Sequence, residues 1–309
     1  MNNYKTKSPI LFLIFNRPDV TKHVFEEIKK SRPSKLYVAA DGPRKNKDNE
    51  AALCNETRDI IKKIDWDCEV KTLFRDQNLG CKYAVSSAID WFFENEEEGI
   101  ILEDDCLPAS DFFVFCDTML EKYRYDTRIR HIGGTNLQMG QKRGNESYYF
   151  SNLSHVWGWA SWRRAWKDYD VELFKYKDED VEEAFKNIFS NTIVVQCWRK
   201  IFYELRDNKI DTWDYQWSIT NFFNNSLSII PNSNLISNIG FGANATHTND
   251  VNDIFSNLKT ERLLEISHPL AVLPNKTADF FTLNREFKVK KRKRKNMWRK
   301  LKFWKKYNK

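Results

Sequence analysis

The sequence predicts an α/β fold in which a twisted, mostly parallel sheet carries helices on both faces. Two observations predict it. Short apolar runs alternate with helical apolar spacing through the first hundred residues, and polar or charged clusters follow each run. Open parallel sheets bind ligands beyond the carboxyl ends of their strands, so residues just after each apolar run are the candidate site.

The first strand is expected over residues 10–15, followed by a helix that places Val20, Val24 and Ile28 four residues apart. A second strand over 36–40 leads to a helix marked by Ile60, Ile61 and Ile64. The third strand, 70–74, precedes a helix carrying Val85, Ile89 and Phe92, and the fourth spans 100–102. An amphipathic helix then places Phe112, Phe115, Cys116, Met119 and Tyr123 on one stripe. A strand over 129–132 ends at Gly133-Gly134, charged helices run to about residue 207, and a late strand covers 227–230. Residues 232–253, rich in Asn, Ser, Gly and Thr, read as a long loop, a length common in functional lids.

The 309 residues have ample length for a buried core. Net charge is +7, yet residues 288–309 hold thirteen Lys/Arg and no acid. Taking that segment away leaves a body of net charge −6, so partners selected by positive charge belong to the tail. In the tail Met297, Leu301 and Trp304 fall at i, i+4 and i+7 with Trp298 beside them, a stripe suited to an anionic membrane surface. A disordered solubilising tail is the plainer alternative. No nucleic-acid partner is expected, because the body is acidic. Residues 1–8 are polar and the apolar run after them is too short for a secretory or membrane-spanning segment. The expectation is a cytoplasmic protein, with a peripheral seat on the inner face of the cell membrane through its tail. The six cysteines show no CxxC spacing and read as reduced structural thiols.

The strongest chemical signal is Glu103-Asp104-Asp105, three adjacent acids at the end of the fourth apolar run. Nothing in folding favours three anions there, whereas a hard divalent cation such as Mn²⁺ or Mg²⁺ takes oxygen ligands from one or two carboxylates plus substrate phosphates. The bland alternative is a solvated acidic turn before the helix near Ser110. Asp41, in Asp41-Gly42 after the second strand, is either an acceptor for a base or ribose or an ordinary turn aspartate. Arg17, in Asn16-Arg17-Pro18-Asp19 beside a helix start, suits a diphosphate or a surface ion pair. Asn78 sits in a similar post-strand position. Asp214, between Trp213 and Tyr215, is a candidate general base whose alternative is a helix-start aspartate. His247 is a candidate further metal ligand or a solvated loop histidine. The Trp157 to Trp162 cluster suits stacking on a sugar ring or packing in a core.

The order of these pieces resembles the nucleotide-sugar glycosyltransferases of the GT-A (Rossmann-like) fold. The resemblance is nearest to the N-acetylglucosaminyltransferase I type and to bacterial sugar transferases labelled hemolytic-protein-like. It runs from about residue 9 to residue 247 and rests on Phe15-Asn16-Arg17-Pro18, on Glu103-Asp104-Asp105 with Pro108 and Asp111-Phe112-Phe113, on Gly158-Trp159, and on Trp213-Asp214 leading to Phe241-Gly242. It implies one domain over 1–286, with a nucleotide-binding half over about 9–105 and an acceptor half over about 106–250, followed by the tail at 287–309. It implies that Phe15, Arg17, Asp41, Asn78, Glu103, Asp104, Gly158 and Trp159 bind the donor, and that Asp105, with His247, holds Mn²⁺ or Mg²⁺. Asp214 would be the base. The implied activity is an inverting transfer from a UDP-sugar to a glycan or lipid-linked acceptor in surface polysaccharide assembly.

Two other readings stay open. A sugar-phosphate nucleotidyltransferase shares a similar sheet but calls for a Gly-rich, basic segment after the first strand, which Asn16-Arg17-Pro18-Asp19 is not. A non-catalytic membrane-active protein would depend on the tail alone.

Overall fold

A computed structural model describes residues 4–241, 255–263 and 265–295. Strand β1 (Ile10–Ile14) is buried along its whole length, as a strand covered on both faces must be. Helix α1 (Pro18–Ser31) follows with Pro18 in its first turn and Lys29 and Lys30 in its last, where a proline costs no hydrogen bond and cations meet the helix dipole. It buries Val24, Phe25 and Ile28 against the sheet. The pattern repeats through β2 (Lys35–Ala40), α2 (Glu50–Arg58), β3 (Glu69–Phe74), α3 (Gly80–Asn95) and β4 (Glu98–Glu103).

The chain continues through β5 (Cys106–Pro108), α4 (Ser110–Tyr123), β6 (Ile129–Gly133), β7 (Tyr148–Ser151), β8 (Trp159–Trp162) and the short α5 (Arg163–Trp166). Helices α6 (Asp178–Ile188), α7 (Thr192–Arg206) and α8 (Asp214–Phe223) come next, then β9 (Leu227–Pro231), β10 (Ile236–Asn238) and α9 (Lys276–Glu286). The main sheet has eight strands in the order β3-β2-β1-β4-β8-β6-β9-β7. β3, β2, β1 and β4 are mutually parallel, and β6 and β9 share their direction. β8 and β7 run against their neighbours. The predicted α/β class, with a mostly parallel sheet, is what the chain forms.

Alternation along β1 divides the core. Ile10, Phe12 and Ile14 face a cluster that includes residues of α1 and α4, while Leu11 and Leu13 face α3 and the tryptophans. A third cluster joins α6, α7, α8 and α9. All six cysteines are free thiols.

Three segments differ from the sequence expectation. The helix marked by Ile60, Ile61 and Ile64 lies earlier, as α2, and Asp59–Lys63 form a 3₁₀ turn after it. The Trp-rich stretch contains the central strand β8, and burial of Trp159 and Trp162 on opposite faces explains its aromatic density. The expected long loop contains β10, which pairs antiparallel with β5. β10 holds one apolar residue, Ile236, fully buried beside Leu235, so polar neighbours masked a short strand. The remainder of that loop, 242–254, lies outside the described residues. So does the amphipathic stripe of the tail.

Candidate functional site

The strand ends converge as a parallel sheet requires. Phe15 and Arg17 follow β1, Asp41 follows β2, Arg75 and Asn78 follow β3, and Glu103-Asp104-Asp105 close β4. All of them line one cavity of about 290 Å³, together with Asn16, Arg44, Cys81, Trp157, Asp211 and Asn238.

Arg17 is the hub of the acidic edge. Its guanidinium donates to both oxygens of Asp104, and its Nη2 donates to Oδ2 of Asp105 at 3.0 Å. Burial works against the Arg17 charge, but Asp104 and Asp105 outweigh it and hold its pKa above the ordinary range. Burial pushes Asp104 up to about 6 in spite of Arg17. Glu103 is raised as well, first by burial and then by Asp105 and Asp104. Asp105 is also covered from above. A Cβ on Gly240 would stand 2.1 Å from Asp105 Oδ2, so only glycine lets that backbone approach.

The opposite wall is a pinned loop. The Asp41 carboxylate accepts from the backbone N–H groups of Gly42, Leu79 and Gly80 at 2.9–3.2 Å and from Asn78 Nδ2 at 2.9 Å. Asn78 also donates to the Gly42 carbonyl. Asp41 thereby ties the end of β2 to the start of α3, and burial still raises its pKa. Asp211 accepts from the amides of Cys81 and Lys82 in the first turn of α3.

Two side chains at the site, Glu50 and Arg58, escaped the sequence reading, whereas Arg44 and Arg75 belong to the clusters that follow β2 and β3. Glu50 accepts from Asn16 Nδ2 at 2.9 Å and binds the Arg44 guanidinium, which sits 5.6 Å over the Phe15 ring. The Arg44 hydrogen bond lowers the Glu50 pKa. Arg58 donates to the carbonyls of Asp41 and Arg75, stapling the ends of β2 and β3. Arg75 is fixed by Ser87 at 2.7 Å. No sequence spacing pairs Arg44 with Glu50 in a recognisable motif, but their position after β2 was a usable signal. A larger concavity of about 1130 Å³ adjoins this wall, sharing Phe15, Asn16, Arg17 and Arg44 with the first and adding Lys22, His23, Lys47 and Lys63 among its lining residues.

Asp214 starts α8 and accepts from the Thr212 hydroxyl. It lines a separate cavity of about 250 Å³ with Trp198, Tyr215, Thr282 and Glu286, and Trp157 borders both cavities. Gly158 and Trp159 are core residues and line neither cavity. The Trp159 ring stacks on His131 at 5.2 Å and on Trp213 at 5.6 Å, and a Cβ on Gly158 would strike Ile236. The resemblance implied that both bind the donor, whereas Trp159 is fully buried in the core and Gly158 packs against Ile236. His247 lies outside the described residues.

Among the described residues no three Asp, Glu, His or Cys side chains are placed to enclose a metal ion. Asp104 and Asp105 fit a hard divalent cation by donor type, with substrate oxygens needed to complete its shell. No helix among the described residues is long and apolar enough to cross a membrane.

No protein-family model matches the chain, and no curated protein matches it. Among solved structures it is similar to HddC from Yersinia pseudotuberculosis, at 11% identity over 52% of this chain and 80% of that one, with a TM-score of 0.32. It is similar to 4-diphosphocytidyl-2C-methyl-D-erythritol synthase from Anaerococcus prevotii, at 11% identity, 60% and 85% coverage and a TM-score of 0.33. A third is UDP-glucose pyrophosphorylase complexed with UDP-glucose, at 11% identity, 73% and 90% coverage and a TM-score of 0.36. These are nucleotidyltransferases, and they correct the expected glycosyltransferase of the GT-A type, together with its glycan or lipid-linked acceptor and its place in polysaccharide assembly. The functional reading below is argued from the residues of this chain.

Proposed function

We propose that this protein is a divalent-metal-dependent nucleotidyltransferase that joins a nucleoside triphosphate to a sugar phosphate and releases pyrophosphate. The observation that carries this reading is the juxtaposition of the Asp104 and Asp105 carboxylates with a concavity in which Arg17, Lys22, Arg44, Lys47 and Lys63 outnumber Asp19, Glu56 and Asp59. Two phosphorylated substrates need more positive charge than a single nucleotide-sugar. A Gly-rich basic segment after β1 is the usual source. Here Arg17 after β1, Lys22 on α1, Arg44 and Lys47 after β2 and Lys63 beyond α2 supply the charge instead.

The acceptor chemistry agrees. A sugar phosphate oxygen is already anionic and attacks the α-phosphorus without losing a proton, while the bond from that phosphorus to the β-bridging oxygen breaks and pyrophosphate leaves. No base is required at the reacting centre, and Asp214 lies in the other cavity. Arg17 and Arg44 bind and orient the phosphates, and the Asp41-Asn78 loop lines the nucleoside side. Asp104 and Asp105 would hold Mg²⁺ or Mn²⁺, which supplies charge neutralisation on the phosphates. Release of pyrophosphate from a panel of nucleoside triphosphates with hexose 1-phosphates and Mg²⁺ tests the proposal. Turnover lost in Asp105→Asn is expected, and absence of both turnover and nucleotide binding would overturn it.

A second proposal concerns the tail. Arg285, Lys288, Lys290, Lys291 and Arg294 line a shallow concavity of about 480 Å³ whose lining holds no acid, which favours contact with an anionic bilayer at up to ~1 kcal/mol per cation. Co-sedimentation with phosphatidylglycerol vesicles, lost in high salt and absent with phosphatidylcholine, is the expected result. Equal recovery with both lipids would count against it.

A further inference from the structure

The cavity beyond Trp157 lacks the arginines of its neighbour. Arg17, Arg44 and Arg75 line the cavity on the near side, whereas among the described residues this one presents no Lys or Arg and two carboxyls, Asp214 at the start of α8 and Glu286 at the end of α9. Asp214 is close enough to oppose ionisation of Glu286, which has no hydrogen-bond partner among the described residues. A phosphate would be repelled there. The remaining surface is largely apolar, with Trp157, Tyr215, Trp198 and Leu137 among its residues, and carries hydroxyls from Ser154, Ser218 and Thr282. Tyr215 meets Trp198 edge-on at 5.7 Å.

A ring with hydroxyls at its edge and C–H groups on its faces fits this mixture. Carboxylates accept hydrogen bonds from hydroxyls, and aromatic and aliphatic side chains cover the C–H side of a ring.

We propose that the cavity between α8 and α9 is a sugar-ring site, with Glu286 and Asp214 reading the hydroxyls while the phosphate of the same molecule reaches past Trp157 to the cationic side. This rests on the nucleotidyltransferase reading for the identity of the substrate, but its residues lie apart from the nucleotide cavity. The division of charge on the two sides of Trp157 also sets orientation. A sugar phosphate entering backwards would bring its phosphate against Asp214 and Glu286.

The test is calorimetric titration of wild type, Glu286→Gln and Asp214→Asn with glucose, galactose and mannose 1-phosphates, with inorganic phosphate, and with nucleoside triphosphates plus Mg²⁺. Thermal unfolding verifies that each variant folds. One hexose 1-phosphate is expected to bind wild type and to lose about tenfold or more in affinity in each variant, with phosphate and nucleotide binding unchanged. Unchanged sugar-phosphate affinity in both variants overturns the site and leaves the nucleotidyltransferase reading intact. So does nucleotide binding by wild type without binding of any hexose phosphate. Sugar binding that is lost in the variants, in a protein that binds no nucleotide, supports the site and removes that reading.

Discussion

Nη2 of Arg17 lies 3.0 Å from Oδ2 of Asp105 while the same guanidinium grips Asp104, so one arginine neutralises the acidic end of β4. Side chains of this trio are 6–18% exposed, which places the network below the surface. Removing one partner of a buried ion pair costs about 3 kcal/mol, because the other charge stays desolvated and unpaired. Arg17→Leu is therefore expected to lower stability by that order, and Mn²⁺ should restore part of the loss by replacing the missing cation. Urea unfolding with and without MnCl₂ reads both effects. Equal stability of variant and wild type would show that the carboxyls need no counter-charge.

Glu286 predicts a loss of stability on the alkaline side. Crowding by the surrounding protein, then the neighbouring Asp214, pushes its carboxyl up to about 7 although the side chain is open to its cavity. A raised carboxyl binds its proton more tightly in the folded than in the unfolded chain. Its stabilising contribution is thus fully present below the ordinary carboxylate range and is lost as pH climbs through 7. Several other buried carboxyls share this sign, so the informative quantity is the difference between wild type and Glu286→Gln. The variant should show a flatter decline between about pH 4.5 and 7. Parallel curves would remove Glu286 from the account.

The β1 to β4 half of the fold was legible because β1, β2 and β4, buried along nearly their whole length, are written as apolar runs, and the polar residues after them converge on the shared cavity. Arg17, Asp41, Asn78 and Glu103 to Asp105 were found that way. The rest was hidden for definite reasons. Trp159 reads as a stacking platform until the pleat of β8 turns it onto His131. Ile236 alone does not announce β10 among Asn and Ser. Glu286 is the last residue of α9, separated by 72 positions from Asp214, and no local pattern joins two carboxyls that meet only through tertiary packing. The cationic wall was missed because it was sought in one segment and is assembled from several.

His131 predicts the acid limb. It is fully buried on β6, accepts from Trp217 Nε1 at 3.1 Å through Nδ1 and donates from Nε2 to the His155 carbonyl at 3.0 Å. Both ring nitrogens are satisfied by the neutral form, and burial drives its pKa down to about 3. A histidine depressed in this way contributes stability above its ordinary value near 6.5, and that contribution falls as pH drops toward 3. The slope approaches about 1.4 kcal/mol per pH unit for one proton. His155, lowered to about 4 by burial, acts in the same direction. Stability of wild type should therefore fall steeply between pH 6 and 4, and His131→Asn, though less stable throughout, should fall less steeply. An identical slope in the variant would place the acid sensitivity elsewhere.

Gly240 separates the site from the scaffold. Its backbone follows β10 and is held by an Asn238 side chain that accepts from the Gly240 N–H at 2.9 Å, while the Ile239 N–H donates to the Asp105 carbonyl at 2.9 Å. A methyl group on Gly240 would press on Asp105 Oδ2 at 2.1 Å and on its Cβ at 2.7 Å, so the carboxylate must rotate or the segment must lift. Rotation breaks the Arg17 contact at Asp105, and lifting uncovers the carboxylate and strains the Ile239 hydrogen bond to the Asp105 carbonyl. Gly240→Ala is accordingly expected to weaken Mg²⁺-dependent nucleotide binding by about tenfold or more, a loss of ~1.4 kcal/mol. Asp105→Asn should weaken it further, and combining the two should add little, because both act on one carboxylate. Calorimetric titration of the four proteins measures this coupling. Additive losses would mean that Gly240 and Asp105 serve the nucleotide independently.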